Sequence, residues 1–321
     1  LGLDPNETYY VRWRSLLDQS TQSLGQSFFL VGAPIVVTTA ADNLTSTTAQ
    51  LNATVNPNDS ATEVRFEYST DPDLAGPLQV STLVSSSLSS PRGLAMDGAP
   101  GNIYVADRAA HQIRVFNEPG QLTGTFGTGT DGFADGPGAD ALFDHPADVA
   151  LHGNSLYVAD EFNHRIRRID LTSGTVSTFA GSGTAGHADG PAATARFLFP
   201  TGLAVDSLGN LFIADSGNHR IRRITPGGDV TTVAGTGVAG FADGAAGSAQ
   251  FNTPLAVAVS STDKLYVADT GNHAIRSLTA GNSVITLAGN GTAGYLDGPG
   301  AVARFASPTG IVVDAAGVLF V

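Results

Sequence analysis

The sequence predicts an all-β chain dominated by a β-propeller, and three observations predict it. The string "LYVADEFNHRIRRI" at 156–169 returns as "LFIADSGNHRIRRI" at 211–224 and "LYVADTGNHAIRSL" at 265–278, with a weaker copy, "IYVADRAAHQIRVF", at 103–116. Its Asp stands at 107, 160, 215 and 269, in steps of 53, 55 and 54 residues, so one supersecondary unit is copied in series. Each copy carries four short strand patterns and one long connector, which describes a propeller blade better than a solenoid turn. The composition agrees: 39 Gly with only 14% charged residues suits short strands and tight turns, and no segment keeps a 3.6-residue apolar rhythm.

The copies align on a proline, at 91, 146, 200, 254 and 308. In the copy at 200–253 the strands read as roughly 202–206, 210–214, 219–224 and 230–234, joined by "SLG", "DSGN" and "TPGGD". Gly and Asn in those links tolerate positive φ. The connector "GTGVAGFADGAAGSAQFNTP" leads to the next proline. Blades packed about an axis bury both sheet faces, which explains consecutive apolar residues such as Leu203, Ala204 and Val205.

The phrase P-x-G-L-A-V-D followed by G-N-L-Y-V-A-D-x-x-N-H-R-I resembles the NHL repeat, with Arg165, Arg220 or Ala274 at the third signature letter. The resemblance covers about 91–321 and implies a propeller, usually of six blades. Four whole copies are present and a fifth begins, with blades starting near 91, 146, 200, 254 and 308. The chain opens mid-phrase at Leu1 and closes mid-repeat at Val321, and so reads as a fragment; the resemblance implies an exported, bacterial-type protein.

The first 79 residues differ. "LGLDPNETYYVRWRS" resembles the late strands of a fibronectin III-like, immunoglobulin-type sandwich, and residues 36–70 resemble the early strands of another. Expected boundaries are therefore 1–33 for one sandwich tail, 34–79 for the head of a second, and 80–321 for the propeller. "VSTLV" at 80–84 matches the fourth blade strand "VTTVA" at 230–234.

The net charge of −13 disfavours a nucleic-acid partner, because phosphate binding needs a basic field. With no Cys there is no disulfide, thiolate metal site or thiol nucleophile. The apolar run 28–37 is too short to span a membrane.

The recurring residues read as structural. Asp107, Asp160, Asp215 and Asp269 end the second strand and are expected to accept N–H groups of the following turn. His111, His164, His219 and His273 follow four residues later. A metal ring of these Asp and His is disfavoured, since equivalent positions in a propeller lie too far apart for one ion. Phe143, Phe197, Phe251 and Phe305, ahead of the prolines, are expected to plug the gaps between blades. Loop Asp135, Asp189, Asp243 and Asp297 read as turn caps, with Ca²⁺ as the alternative ligand. The third-strand runs Arg165, Arg167, Arg168 and Arg220, Arg222, Arg223 read as solvated edges and inter-blade pairs rather than an RNA-binding face.

Residues that break the repeat are the site candidates: His145, Asp148, His152, Glu161 and His187. Asp148 stands where other copies have Gly93, Gly202, Ala256 or Gly310, at the start of the innermost strand. His187 replaces Phe133, Phe241 or Tyr295. Asn-x-Ser/Thr at Asn6, Asn43, Asn52, Asn58 and Asn290 reads as chance in a Thr-rich β-protein. The expected function is non-catalytic: an extracellular or cell-surface scaffold binding a protein or carbohydrate through propeller loops, without a cofactor. The alternative implied by the resemblance is a metal-dependent hydrolase or lyase of the gluconolactonase or amidating-lyase type. Such enzymes gather channel ligands from several blades, and the inner-strand starts here offer only Asp148.

Overall fold

The computed structural model describes residues 88–98, 101–118 and 120–321, and earlier in the chain only the backbones of short strands between Tyr10 and Thr82. The sandwich readings of 1–33 and 34–79 otherwise lie outside the described residues. Ser81–Thr82 pairs with Arg65–Ser69.

Four antiparallel sheets follow one another. The first contains Pro91–Met96, Asn102–Asp107, Gln112–Asn117 and Leu122–Phe126. The second contains Pro146–His152, Ser155–Asp160, Arg165–Asp170 and Thr175–Ala180. The third contains Pro200–Val205, Leu211–Asp215, Arg220–Ile224 and Asp229–Ala234, within a residue or two of the boundaries expected from sequence. The fourth contains Ala256–Val259, Leu265–Asp269, Ala274–Leu278 and Ser283–Ala288, and Val312–Val313 with Leu319–Phe320 begins another. The only helical turns among the described residues are 3₁₀ turns at Arg108–Ala110, Ser216–Asn218 and Thr270–Asn272.

The connector does more than link. It adds a two-residue strand to the outer edge of the following sheet, as Gly190–Pro191 does against Asp229 and Val230. Each blade from the second to the fourth therefore has five strands, one more than the sequence pattern suggests. Pairing of the connector with the next blade ties neighbours together through backbone hydrogen bonds.

Inner strands pack in chain order, and the apolar core is a series of layers between blades. One layer joins Tyr157, Ala159 and Ile166 of the second blade to Leu203, Leu211 and Ile213 of the third. Phe143, Phe197 and Phe251 are fully buried within these layers. Phe305 lies at the edge of its layer and is partly buried. Inner-strand backbones approach closely at Gly202: a Cβ there would stand 2.6 Å from Ala256 Cα and Leu255 O.

The recurring Asp does not cap the following turn. Asp160 Oδ1 accepts the Asp144 N–H at 2.8 Å, from the segment before the blade's own proline, and Leu198 and Asn252 donate likewise to Asp215 and Asp269. The other oxygen meets a buried guanidinium. Arg167 Nη1 lies 2.8 Å from Asp160 Oδ2, and Nη2 reaches Asp135 Oδ1 at 2.6 Å and Ala134 O at 2.7 Å. The same clamp recurs as Arg222 with Asp215 and Asp189, and as Arg276 with Asp269 and Asp243. These three Arg are fully buried, which corrects the expectation of solvated edges for Arg167 and Arg222, whereas Arg165, Arg168, Arg220 and Arg223 stay partly exposed. At Asp135, Asp189 and Asp243 the guanidinium engages Oδ1 of each carboxylate. Burial pushes Asp160 up to about 6 despite Arg167. Burial would raise Asp189 too, but the Thr232 N–H and Arg222 outweigh it and hold that carboxyl below its usual value.

Gly209 and Gly228 take the positive φ expected of their links, but in the "DSGN" link it falls on the recurring His. His111, His164, His219 and His273 sit at φ 52–54°. Each Nδ1 accepts the backbone N–H of the residue preceding the next proline: His145, Phe199, Thr253 and Ser307. Those residues are also left-handed, at φ 47–54°. A left-handed residue ahead of proline is disfavoured, and the neighbouring blade's imidazole holds it in place.

Candidate functional site

Long connectors, turns between second and third strands, and starts of inner strands all lie at one end of the blades. Repeat-breaking residues gather there. Phe162 stands where other copies have Ala109, Gly217 or Gly271, and Phe199 where they have Ser90, His145, Thr253 or Ser307. The two rings pack edge-on at 5.5 Å, and both are about 40% exposed. His145 lies 4.5 Å from Phe162 and 4.5 Å from His111, while His164 lies 4.9 Å from Phe199. The result is an unbroken aromatic row from His111 through His145, Phe162 and Phe199 to His164, spanning two blade junctions. Arg108 covers Phe162 at 5.3 Å.

Beside this row runs a charged cluster. Glu161, nearly buried, receives Arg108 Nε at 2.9 Å and Arg92 Nη1 at 3.5 Å, both from the preceding blade. At this position Ser216 and Thr270 instead donate a hydroxyl to Pro254 O and Pro308 O. Glu161 thus makes an inter-blade contact in charged form. Burial pulls the Arg92 guanidinium below its usual value, against the Glu161 and Asp148 charges.

Asp148 lines a cavity of about 570 Å³ walled by inner-strand residues such as Leu94, Val149, Leu203, Val257 and Val312. Its carboxylate is already engaged: Oδ1 accepts the Val149 N–H at 2.9 Å and Oδ2 the Leu203 N–H at 2.8 Å. Burial raises it to about 7.

The candidate residues do not form one site. His145 belongs to the aromatic row, Glu161 and Asp148 flank Arg92, and His152 is the exposed last residue of its inner strand. His187 sits on the connector, where its Nε2 pairs with Thr232 Oγ1 at 2.9 Å, and burial lowers its pKa. Its counterparts Phe133 and Phe241 instead cover Arg165 and Arg276. The sequence reading missed Asp144, Phe162 and Phe199. Phe162 and Phe199 also break the repeat, which was the signal available for them.

The NHL repeat family matches residues 88–116, 197–224 and 251–276. The chain carries NHL repeats on a β-propeller fold. It is 31% identical over 202 residues to Protein SUPPRESSOR OF QUENCHING 1, chloroplastic, of Arabidopsis thaliana, covering 59% of this chain and 19% of that protein. NHL repeat-containing protein 2 of Gallus gallus is 38% identical over 105 residues, covering 33% and 14%. The chain thus spans a fifth or less of these relatives. A streptogramin B lyase structure superposes with a TM-score of 0.51 at 15% identity, covering 97% of this chain and 93% of that one. A putative phosphatase from Bacteroides thetaiotaomicron superposes with a TM-score of 0.52 at 15% identity, covering 74% and 56%. At such identities the likeness is one of fold alone. Relatives of this NHL-repeat chain therefore carry differing descriptions on one scaffold.

Proposed function

We propose that the propeller is a non-catalytic binding module that takes a protein or carbohydrate on its connector face, in an extracellular or cell-surface setting. The observation that supports this is the exposed aromatic row centred on Phe162 and Phe199. Rigid aromatic side chains give large contact area at low entropic cost, and rings beside Arg and carboxylate groups suit both sugar faces and protein anchors. The setting rests on the resemblance to exported NHL proteins.

The enzyme reading is the weaker one. Among the described residues the cavity wall offers one acidic group near the inner-strand starts, Asp148, and two backbone N–H groups already occupy its oxygens. The test is binding of the chain to an array of neutral and acidic oligosaccharides and to immobilised extracellular-matrix proteins. We expect a ligand whose affinity falls at least tenfold in the Phe162→Ala, Phe199→Ala double variant. A ligand bound equally well by that variant would overturn the assignment of this face.

A further inference from the structure

From the junction of the first two blades we infer a divalent transition-metal site formed by His111, Asp144 and His145, which would staple one blade to the next. The scaffold that creates it is the recurring His clamp. At every junction the imidazole of one blade meets the residue before the next blade's proline. At the other described junctions the two residues preceding that proline are Leu198-Phe199, Asn252-Thr253 and Ala306-Ser307. Here they are Asp144-His145, so three ligating side chains converge.

Their geometry suits one ion. His145 Nδ1 lies 2.7 Å from Asp144 Oδ1, and His111 Nδ1 lies 3.6 Å from the same oxygen. One ligand atom from each residue lies within 4.8 Å of the others. Tetrahedral zinc with bonds of about 2.0–2.1 Å needs ligand atoms separated by about 3.3 Å, so the two pairs that share the Asp144 oxygen are near that spacing, and the imidazole pair closes by at most about 1.5 Å. Two imidazoles and one carboxylate match Zn²⁺, Co²⁺ or Ni²⁺ better than Ca²⁺ or Mg²⁺. All three side chains are partly exposed, at 15–27%, which leaves an approach for the ion and a position for water.

Second contacts hold the ligands. The Asp144 N–H is fixed by Asp160 Oδ1, and His145 rests on the Phe162 ring. Asp131 adds negative charge near His111. Arg108 is the opposing charge, and Glu161 engages it. Coordination through His145 Nδ1 places that ring's proton on Nε2. Coordination through His111 Nδ1 replaces its long 3.3 Å hydrogen bond from the His145 N–H.

The test is titration of the untagged, metal-free chain with Co²⁺ and Zn²⁺, followed by calorimetry, the visible Co²⁺ spectrum and thermal unfolding. We expect one ion per chain, a Co²⁺ spectrum with nitrogen ligands, and a higher Tm. Asp144→Asn and His145→Gln should each weaken binding by at least the roughly 10–100-fold that even outer-shell losses cause. Far-UV circular dichroism should show both variants folded, and His187→Gln should bind as the parent does. Absence of stoichiometric binding overturns the inference, as does undiminished binding in both variants.

Discussion

Arg222 Nη1 lies 2.7 Å from Asp215 Oδ2, and neither side chain reaches solvent. The same guanidinium donates to Asp189 Oδ1 and to the carbonyls of Ala188 and Arg196. One side chain therefore joins the second and third strands of a blade to the connector that wraps it. Arg222→Met keeps the volume and strips the charge, leaving Asp215 buried without its partner. Breaking a buried pair from one side costs about 3–5 kcal/mol, and that loss should appear in urea unfolding. Leu208→Ser, at a position 75% exposed, should stay within about 0.5 kcal/mol. Equal effects of the two substitutions would deny the clamp its role.

Asp148 predicts a pH dependence. Burial raises its carboxyl to about 7, whereas an unfolded Asp titrates near 3.9. Between about pH 4 and pH 7 the folded state holds more protons than the unfolded one, so this group's contribution to stability declines as pH rises. Asp148→Asn removes the titration and leaves the other acids and histidines as they are. The Tm of the parent minus that of the variant should fall from about pH 4 to pH 7 and level off above about pH 8. A difference that is flat across that window would show that Asp148 titrates normally.

Phe197 is fully buried between the second and third blades, with the Arg222 guanidinium 5.1 Å from its ring centre. Phe197→Ala removes that plug and should destabilise the chain by about 3–5 kcal/mol. Chemical denaturation showing less than about 1 kcal/mol would mean that neighbouring blades collapse into the space.

Much of the architecture was legible in the chain because each blade is a local meander. The third blade's strands needed only the proline, the "LFIAD" phrase and the Gly-rich links to be placed. The fifth strand escaped notice, because Gly190–Pro191 has no strand propensity and pairs only when the connector lies against Asp229 and Val230. The candidate site was half legible. His145 announced itself by breaking the repeat, but its partner His111 is one of the repeating residues and reads as ordinary.

Periodicity by itself determined the fold class, the strand order and which letters recur, since spacing and turn chemistry are local properties. Tertiary packing decided what the recurring letters do. Arg167, Arg222 and Arg276 lie in the interior and not at an edge because blades cover both faces of each sheet, and only there do Asp residues far apart in sequence meet one guanidinium. His111 and His145 likewise stand 34 positions apart and touch only across a junction between blades.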